Sequence, residues 1–313
     1  MHSSWDAPKP VSRHSLRDKQ FALLSTRSAQ SFRSRQVDIR RIGNDDDATD
    51  EDLVAVEEPL EIRLGFGGKG GRDEKSISIT MRTPGNDDEL AVGFLFSEGI
   101  LTSADDIVEV WHRSPPIPGD ADLRNVIRID LADDAEVDFD RLQRHFYTTS
   151  SCGVCGKASL DALSAQSLYS EAITKSQFSI ATDDVLTLAS QLEDKQKTFS
   201  ETGGLHATGL FDSAGKVVLV REDVGRHNAM DKLIGRLFFD ASLPATSHGI
   251  LVSGRASFEL VQKVAMAGSP MLAAVGAPSS LAIDVAKEFD VTLIGFLRDG
   301  RFNVYCGDAR INS

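Results

Sequence analysis

Cysteine is scarce: 313 residues contain three, Cys152, Cys155 and Cys306. So low and odd a count excludes a disulfide framework and fits a reducing compartment, where a paired CxxC is more often catalytic or metal-binding than structural. Long apolar runs are missing, and with them a bilayer span and the apolar stretch of a secretory signal. Positive charge is in deficit. Lys and Arg number 34 against 47 Asp and Glu, a formal charge of -13, which argues against phosphate-backbone binding and so against nucleic acid as a partner. No internal repeat is present. What remains is the composition of an ordinary soluble globule, long enough for one large domain or two modest ones.

Residues 1–52 read as a basic, disordered tail running into an acidic linker. The first 41 residues are rich in Ser and Arg, and Asp45, Asp46, Asp47, Asp50, Glu51 and Asp52 follow. Asp6 and Asp18 interrupt the basic stretch and no apolar face is visible, which weighs against a transit peptide. Folded chain is expected from Leu53. Residues 53–147 read as a smaller α+β part. Alternating residues over 53–64 predict a strand broken at Pro59, and 76–81 predict its hairpin partner. The glycine-rich 65–71 between them lacks the Lys-Ser/Thr pair of a phosphate loop and reads as a turn. A helix is predicted over 88–98, and strands over 107–111 and 126–131; Arg82 and Glu98 could line a site, but surface roles suit them better.

Residues 148–313 have a different pattern. Stretches 209–211 and 216–222 form a hairpin, and a helix covers 228–239. Strands at 249–253, 270–275 and 291–297 then alternate with helices at 256–267 and 279–288. This alternation predicts an α/β mixed sheet covered by helices, with at least two parallel neighbours. Asp299-Gly300 turns the chain into a final antiparallel strand, 301–305.

The chemical centre is Thr148-Thr-Ser-Ser-Cys152-Gly-Val-Cys155-Gly-Lys157. Glycine after each cysteine gives the backbone freedom. A helix expected over 159–165 would place its N-terminus near the thiols, and with Lys157 would favour thiolate, the nucleophilic form. Three chemistries suit such a pair. Zinc needs four ligands, and a second CxxC is missing, so Cys306, His206 or His227 would have to be recruited. A dithiol redox centre usually sits at a strand–helix corner, unlike this glycine-flanked loop. A sulfur relay needs an exposed, activated cysteine that accepts a persulfide sulfur and hands it on.

Three segments fall at strand-to-helix junctions: Arg221-Glu-Asp-Val-Gly-Arg226-His227-Asn228, Ser253-Gly254-Arg255-Ala-Ser257 and Gly276-Ala-Pro-Ser279-Ser280. Helix N-termini expose unpaired N–H groups, and several together favour a phosphate-bearing ligand, with Arg226 and Arg255 able to fork onto it. Taken singly, each segment reads equally well as capping and ion pairing. Phe296-Leu297-Arg298-Asp299-Gly300-Arg301 adds two guanidinium groups and an aromatic ring on one turn, suited to a purine and its phosphates. His206, after Gly203-Gly204, could touch a ligand, although a lone histidine is more often structural.

Across these residues the chain resembles the FdhD family, the formate dehydrogenase accessory sulfurtransferases. The resemblance runs from about Leu53 to Tyr305. It rests on Met81-Arg-Thr-Pro-Gly85 with Glu89-Leu-Ala-Val-Gly-Phe94, on Thr149 to Lys157, on Thr202-Gly-Gly-Leu-His206, and on the three junction segments in order. It implies a cytidine-deaminase-like fold, a homodimer and a cytoplasmic setting. It implies a sulfur carrier that takes sulfur from a cysteine desulfurase as a persulfide on Cys152, with Cys155 assisting. The sulfur would pass to the molybdenum (or tungsten) bis-molybdopterin guanine dinucleotide cofactor before its insertion into formate dehydrogenase, with Phe296 to Arg301 as the cofactor-binding stretch. A zinc-dependent nucleobase deaminase, the alternative suggested by a CxxC on such a fold, needs a His-x-Glu element. None occurs in the sequence.

Overall fold

A computed structural model describes residues 33–43, 47–68, 71–112, 125–133, 135 and 169–313. The paired cysteines and the helix expected over 159–165 lie outside the described residues.

Strands β1 (Ser34–Ile42) and β2 (Asp47–Ala55) form an antiparallel hairpin. Strand structure thus begins well before Leu53, and the acidic stretch expected as linker supplies one arm. Alternating Arg35, Val37, Ile39 and Arg41 face Val54, Asp52, Asp50 and Ala48 across it. A two-residue break at Val56 and Glu57 then admits β3 (Glu58–Phe66), so the expected strand over 53–64 is two strands.

β3 pairs with β4 (Asp73–Arg82), and α1 (Asp87–Ser97) follows. A 3-10 turn leads to β5 (Ile107–His112), and β6 (Val126–Leu131) completes a four-stranded sheet of order β4-β3-β6-β5. Leu60, Ile62 and Leu64 alternate into the core as the pleat requires, and Ile127, Ile129 and Leu131 lie beside them. α2 (Ser170–Thr174), β7 (Ile180–Ala181), α3 (Thr182–Lys195) and α4 (Lys197–Thr202) lead into the second sheet.

The second sheet contains β8 (His206–Phe211), β9 (Val217–Asp223), β10 (Gly249–Val252), β11 (Met271–Ala274), β12 (Thr292–Arg298) and β13 (Arg301–Cys306), in the order β13-β12-β11-β10-β8-β9. β10, β11 and β12 are parallel to one another, while the two outer hairpins run antiparallel. α5 (Arg226–Phe239), α6 (Phe258–Met266) and α7 (Ser280–Glu288) cover one face, and α3 covers the other. A short β14 (Ile311–Asn312) pairs with β7. The mixed sheet and its parallel centre agree with the sequence reading.

The two sheets share one core, and α1 and α5 carry it between them. These helices cross on glycine. A Cβ at Gly93 would sit 1.8 Å from the Asp231 carbonyl oxygen, and one at Gly235 would sit 1.9 Å from that of Glu89. The two backbones are therefore in contact, closer than side-chain-separated helices pack.

A polar seam flanks the crossing, and it corrects two expectations. Arg82, expected at the surface, is 1 % exposed. It donates to both Asp87 oxygens at 3.1 and 3.0 Å and to Glu58 at 3.4 Å. A buried guanidinium holds only when so paired. The segment 221–228, expected to face a ligand, is largely spent on the same seam. Arg221 donates to Glu89 at 2.7 Å. Lys232 pairs with Asp223 at 2.7 Å and donates to the Thr83 carbonyl at 2.8 Å. Asn228 donates to the Met81 carbonyl at 2.7 Å.

Candidate functional site

β8 runs opposite to β10, so its first residue lies at the same edge of the sheet as the C-terminal ends of β10, β11 and β12. Ligands in open α/β sheets collect at that edge. Here it carries a cavity of about 770 Å³, within the range of small-molecule sites. His206 from β8, Ser253 after β10, Val275 after β11, and Leu297 to Arg301 at the β12–β13 turn form its floor and one side. Leu186, Ala189, Leu192 and Glu193 of α3, Gln196, and Phe199 of α4 form the opposite wall.

The floor is laced together by backbone hydrogen bonds. Gly276 N donates to Gly254 O at 2.9 Å, Phe296 N to Gly276 O at 3.0 Å, and Ala256 N to Ala277 O at 3.2 Å. Gly276 must be glycine for this, because a Cβ there would meet Gly254 O at 2.9 Å. Ser253 is pinned as well: its Oγ accepts from Ala207 N at 2.9 Å, and its own N donates to Ala207 O at 3.0 Å.

The β12–β13 turn matches its sequence signature. Asp299 and Gly300 have φ of 56° and 68°, the two left-handed positions of a tight I′ hairpin. Phe296 also has a positive φ, 54°, at an irregularity in the pairing between Gly295 and Arg298. A bulge re-aims the side chains around it. Arg298 lies 5.8 Å from the Phe296 ring centroid. Of the residues expected to hold a cofactor, Leu297, Arg298, Asp299, Gly300 and Arg301 line the cavity. Phe296 and Arg255 do not line it. Arg255 is exposed, its side chain packed past Gly276 at the rim of the floor.

Behind His206 lies a polar corner formed by the first turns of α5 and α6. Neither helix has a side-chain N-cap bond. Ser257, which could cap α6, instead meets His227 Nε2 at 3.4 Å. Burial pushes the His227 imidazole down to about 4, and Arg226 and Lys263 act in the same direction. Burial, with Arg226 second, lowers His206 as well. His227 is thus neutral near pH 7, and Arg226 keeps a buried Nε with no hydrogen-bond partner among the described residues. Of the three helix N-termini, α7 is closed by its own residue: Ser279 Oγ accepts from Ala282 N at 3.2 Å, as its sequence position suggested.

The α3–α4 wall was not legible as a site. Val185, Leu188 and Leu192 at i, i+3 and i+7 carried the signal of an amphipathic helix. The placement of α4 depends on Glu222, whose carboxylate accepts from Thr198 N at 3.2 Å and Phe199 N at 2.9 Å. Among the described residues no group of three or more His, Cys, Asp or Glu is arranged to hold a metal, and no helix is long and apolar enough to cross a membrane. Cys306 is half-buried, its Sγ 3.3 Å from the Val291 carbonyl oxygen.

A mixed α/β sheet with a cavity of about 770 Å³ at its strand ends defines an α/β fold carrying a candidate ligand site. The chain belongs to the FdhD/NarQ family, whose profile matches residues 55–312. It is 47% identical over 264 residues to the sulfur carrier protein FdhD of Streptomyces avermitilis, covering 84% of this chain and 90% of that protein. It is 41% identical to the protein of that name from Sulfurisphaera tokodaii, covering 88% and 98%. A crystal structure from Desulfotalea psychrophila, of a protein provisionally assigned as a formate dehydrogenase accessory protein, shares the fold. Its TM-score is 0.64 at 21% identity, over 89% of this chain and 99% of that one.

Proposed function

We propose that this chain is a sulfur carrier in formate dehydrogenase maturation. The observation that carries the reading is membership of the FdhD/NarQ family across residues 55–312, a span that includes Cys152 and Cys155. Relatives across that span are named sulfur carrier proteins.

In this reading the Cys152 thiolate attacks the outer sulfur of a persulfide on a cysteine desulfurase. One S–S bond forms on Cys152 as the donor's breaks, and the donor leaves as a thiolate, so no outside oxidant is needed. The Cys155 thiolate would then attack the inner sulfur of the Cys152 persulfide, closing a Cys152–Cys155 disulfide as the S–S bond breaks and sulfide leaves, so the cysteine pair supplies the two electrons and a thiol reductant resets it. The sulfide would pass to the metal of the bis-molybdopterin guanine dinucleotide, which is substrate and cargo. A guanosine end of the cargo occupies the cavity, where Arg298 and Arg301 meet its phosphates and Arg255 guards the rim. Arg226, with its unpartnered Nε beside two depressed histidines, adds positive potential behind His206. The protein works as a cytoplasmic homodimer that delivers the loaded cofactor to formate dehydrogenase.

The test is the intact mass of the protein after incubation with a cysteine desulfurase and cysteine. A gain of one sulfur atom, removed by reductant and lost in Cys152→Ala, is expected. The variant should also fail to support formate dehydrogenase maturation while remaining folded. Full maturation by Cys152→Ala would make the chain a cofactor-binding chaperone instead.

A further inference from the structure

The proposed reading gives the β12–β13 side of the cavity to phosphates and assigns nothing to the opposite wall. Leu186, Ala189, Leu192 and Phe199 make that wall apolar, a surface on which a planar base can pack. Three polar side chains are set into it: Ser190, Glu193 and Gln196. Ser190 is spent, its Oγ donating to the Thr187 carbonyl at 2.9 Å.

Gln196 is 5 % exposed, yet its side-chain amide has no hydrogen-bond partner among the described residues. Only its backbone is engaged, N donating to Glu193 O at 3.1 Å and O accepting from Ser200 N at 2.9 Å. Buried amides are almost always paired, and an unpaired one calls for a reason. The chain offers this one a local task that it does not perform. Gln196 stands between α3 and α4, at the N-cap place of α4, where a side-chain oxygen commonly accepts from the first free N–H groups. Glu222 does this instead, holding Thr198 N and Phe199 N. The amide's polar atoms are not sealed from solvent, so they open on the cavity that Gln196 lines, with donors and an acceptor unused. Glu193, three residues earlier and so on the same helix face, lines the cavity as well. Its carboxylate has no ion pair or hydrogen bond among the described residues.

A group that only accepts, beside one that can donate, matches a single purine edge. Guanine presents N1–H and its 2-amino group side by side, two donors that a carboxylate takes as a pair, and next to them O6, an acceptor for an amide N–H. Adenine turns a lone pair at N1 towards such a carboxylate, and hypoxanthine lacks the 2-amino group. The negative charge of Glu193 also disfavours phosphates on its own wall, whereas Arg298 and Arg301 attract them on the other.

We infer that Glu193 and Gln196 select the base: Glu193 accepts from guanine N1–H and the 2-amino group, and Gln196 donates to O6, with the ring against the apolar wall. This rests on the reading that a guanosine end of the cargo enters the cavity, and it adds what distinguishes that base from other purines.

Calorimetry of the full-length protein with GDP, IDP and ADP tests it. GDP should bind about tenfold or more tighter than IDP or ADP, as one well-placed pair of hydrogen bonds to a base edge provides. Glu193→Gln should lower the ratio of GDP to ADP affinity by about tenfold, because its amide N–H opposes guanine N1–H and suits adenine N1. Glu193 is exposed, so the fold should be unchanged. Gln196→Met should weaken GDP several-fold while the urea midpoint stays the same or rises, since an apolar chain of similar length removes an unpaired buried amide. No binding of any of the three nucleotides, equal affinity for GDP and ADP, a ratio unmoved by Glu193→Gln, or a destabilised Gln196→Met with GDP affinity unmoved would overturn the inference. Sulfur loading on Cys152, followed by intact mass, separates the two readings. Loading without base selectivity overturns this inference alone, and selectivity without loading overturns the sulfur-carrier step alone.

Discussion

His227 stands on the first turn of α5 with its ring against Ser257, held well below the ordinary imidazole value by burial and by Arg226 and Lys263. Glu259 acts against them. The unfolded chain takes up a proton near pH 6.5, whereas the folded chain resists until about 4. Between those values the unfolded state binds more protons, so this contribution to stability is complete above about pH 6.5 and is lost as pH falls towards 4. The span corresponds to about 3 kcal/mol at most, less whatever partial solvent access relieves. Urea unfolding at pH 7 and pH 5 should show a drop that His227→Gln largely removes. At this scale the sequence told least about charge. Arg82 and Arg221 look alike as letters, yet Arg82 is buried between Asp87 and Glu58, and Arg221 reaches back to Glu89. Each assignment depends on carboxylates that the fold brings near, and local pattern does not report those partners.

Elements were more legible than residues, because period and turn chemistry are local. Asp299-Gly300 announced its hairpin, since two left-handed positions in a row suit those residue types. The alternation of strands and helices after residue 249 gave β10, α6, β11, α7 and β12 in order. Missed were β1, whose polar alternation resembles a tail, and the wall α3–α4, which had a helical period but no chemical motif. The glycine crossing of α1 and α5 was hidden as well, because a glycine inside a helix reads as a weakness. In Gly235→Ala, the better helix former gains about 1 kcal/mol, while forcing a methyl group into the Glu89 backbone costs up to about 3 kcal/mol or more. The net result should be a loss of roughly 2 kcal/mol, seen as a lower urea midpoint.

For the molecule as a whole, cavity and cysteine pair fall on different segments, and the order of motifs along the chain identified the family where no single motif did. In the proposed reading, loading sulfur and gripping nucleotide are separable acts. Arg298→Ala/Arg301→Ala should weaken binding of guanosine diphosphate roughly tenfold or more, since hydrogen bonds to charged groups are worth about 1.5–3 kcal/mol each. Both side chains are exposed and make no core contacts, so the fold should be unchanged. Sulfur loading on Cys152 should also be unchanged by intact mass, while calorimetry reports the lost nucleotide affinity. A variant that lost both would tie loading to an occupied cavity.

The contact between Gly93 and Gly235 has a mechanical meaning. Two bare α-carbons set the gap between the halves of the molecule, so any larger group at either place acts as a wedge. The cavity is built wholly from residues 186–301, on the far side of that joint. Prying the joint open would first pull Thr83 from Lys232 and Arg221 from Glu89. The nucleotide pocket would be left standing on a half that has lost its brace.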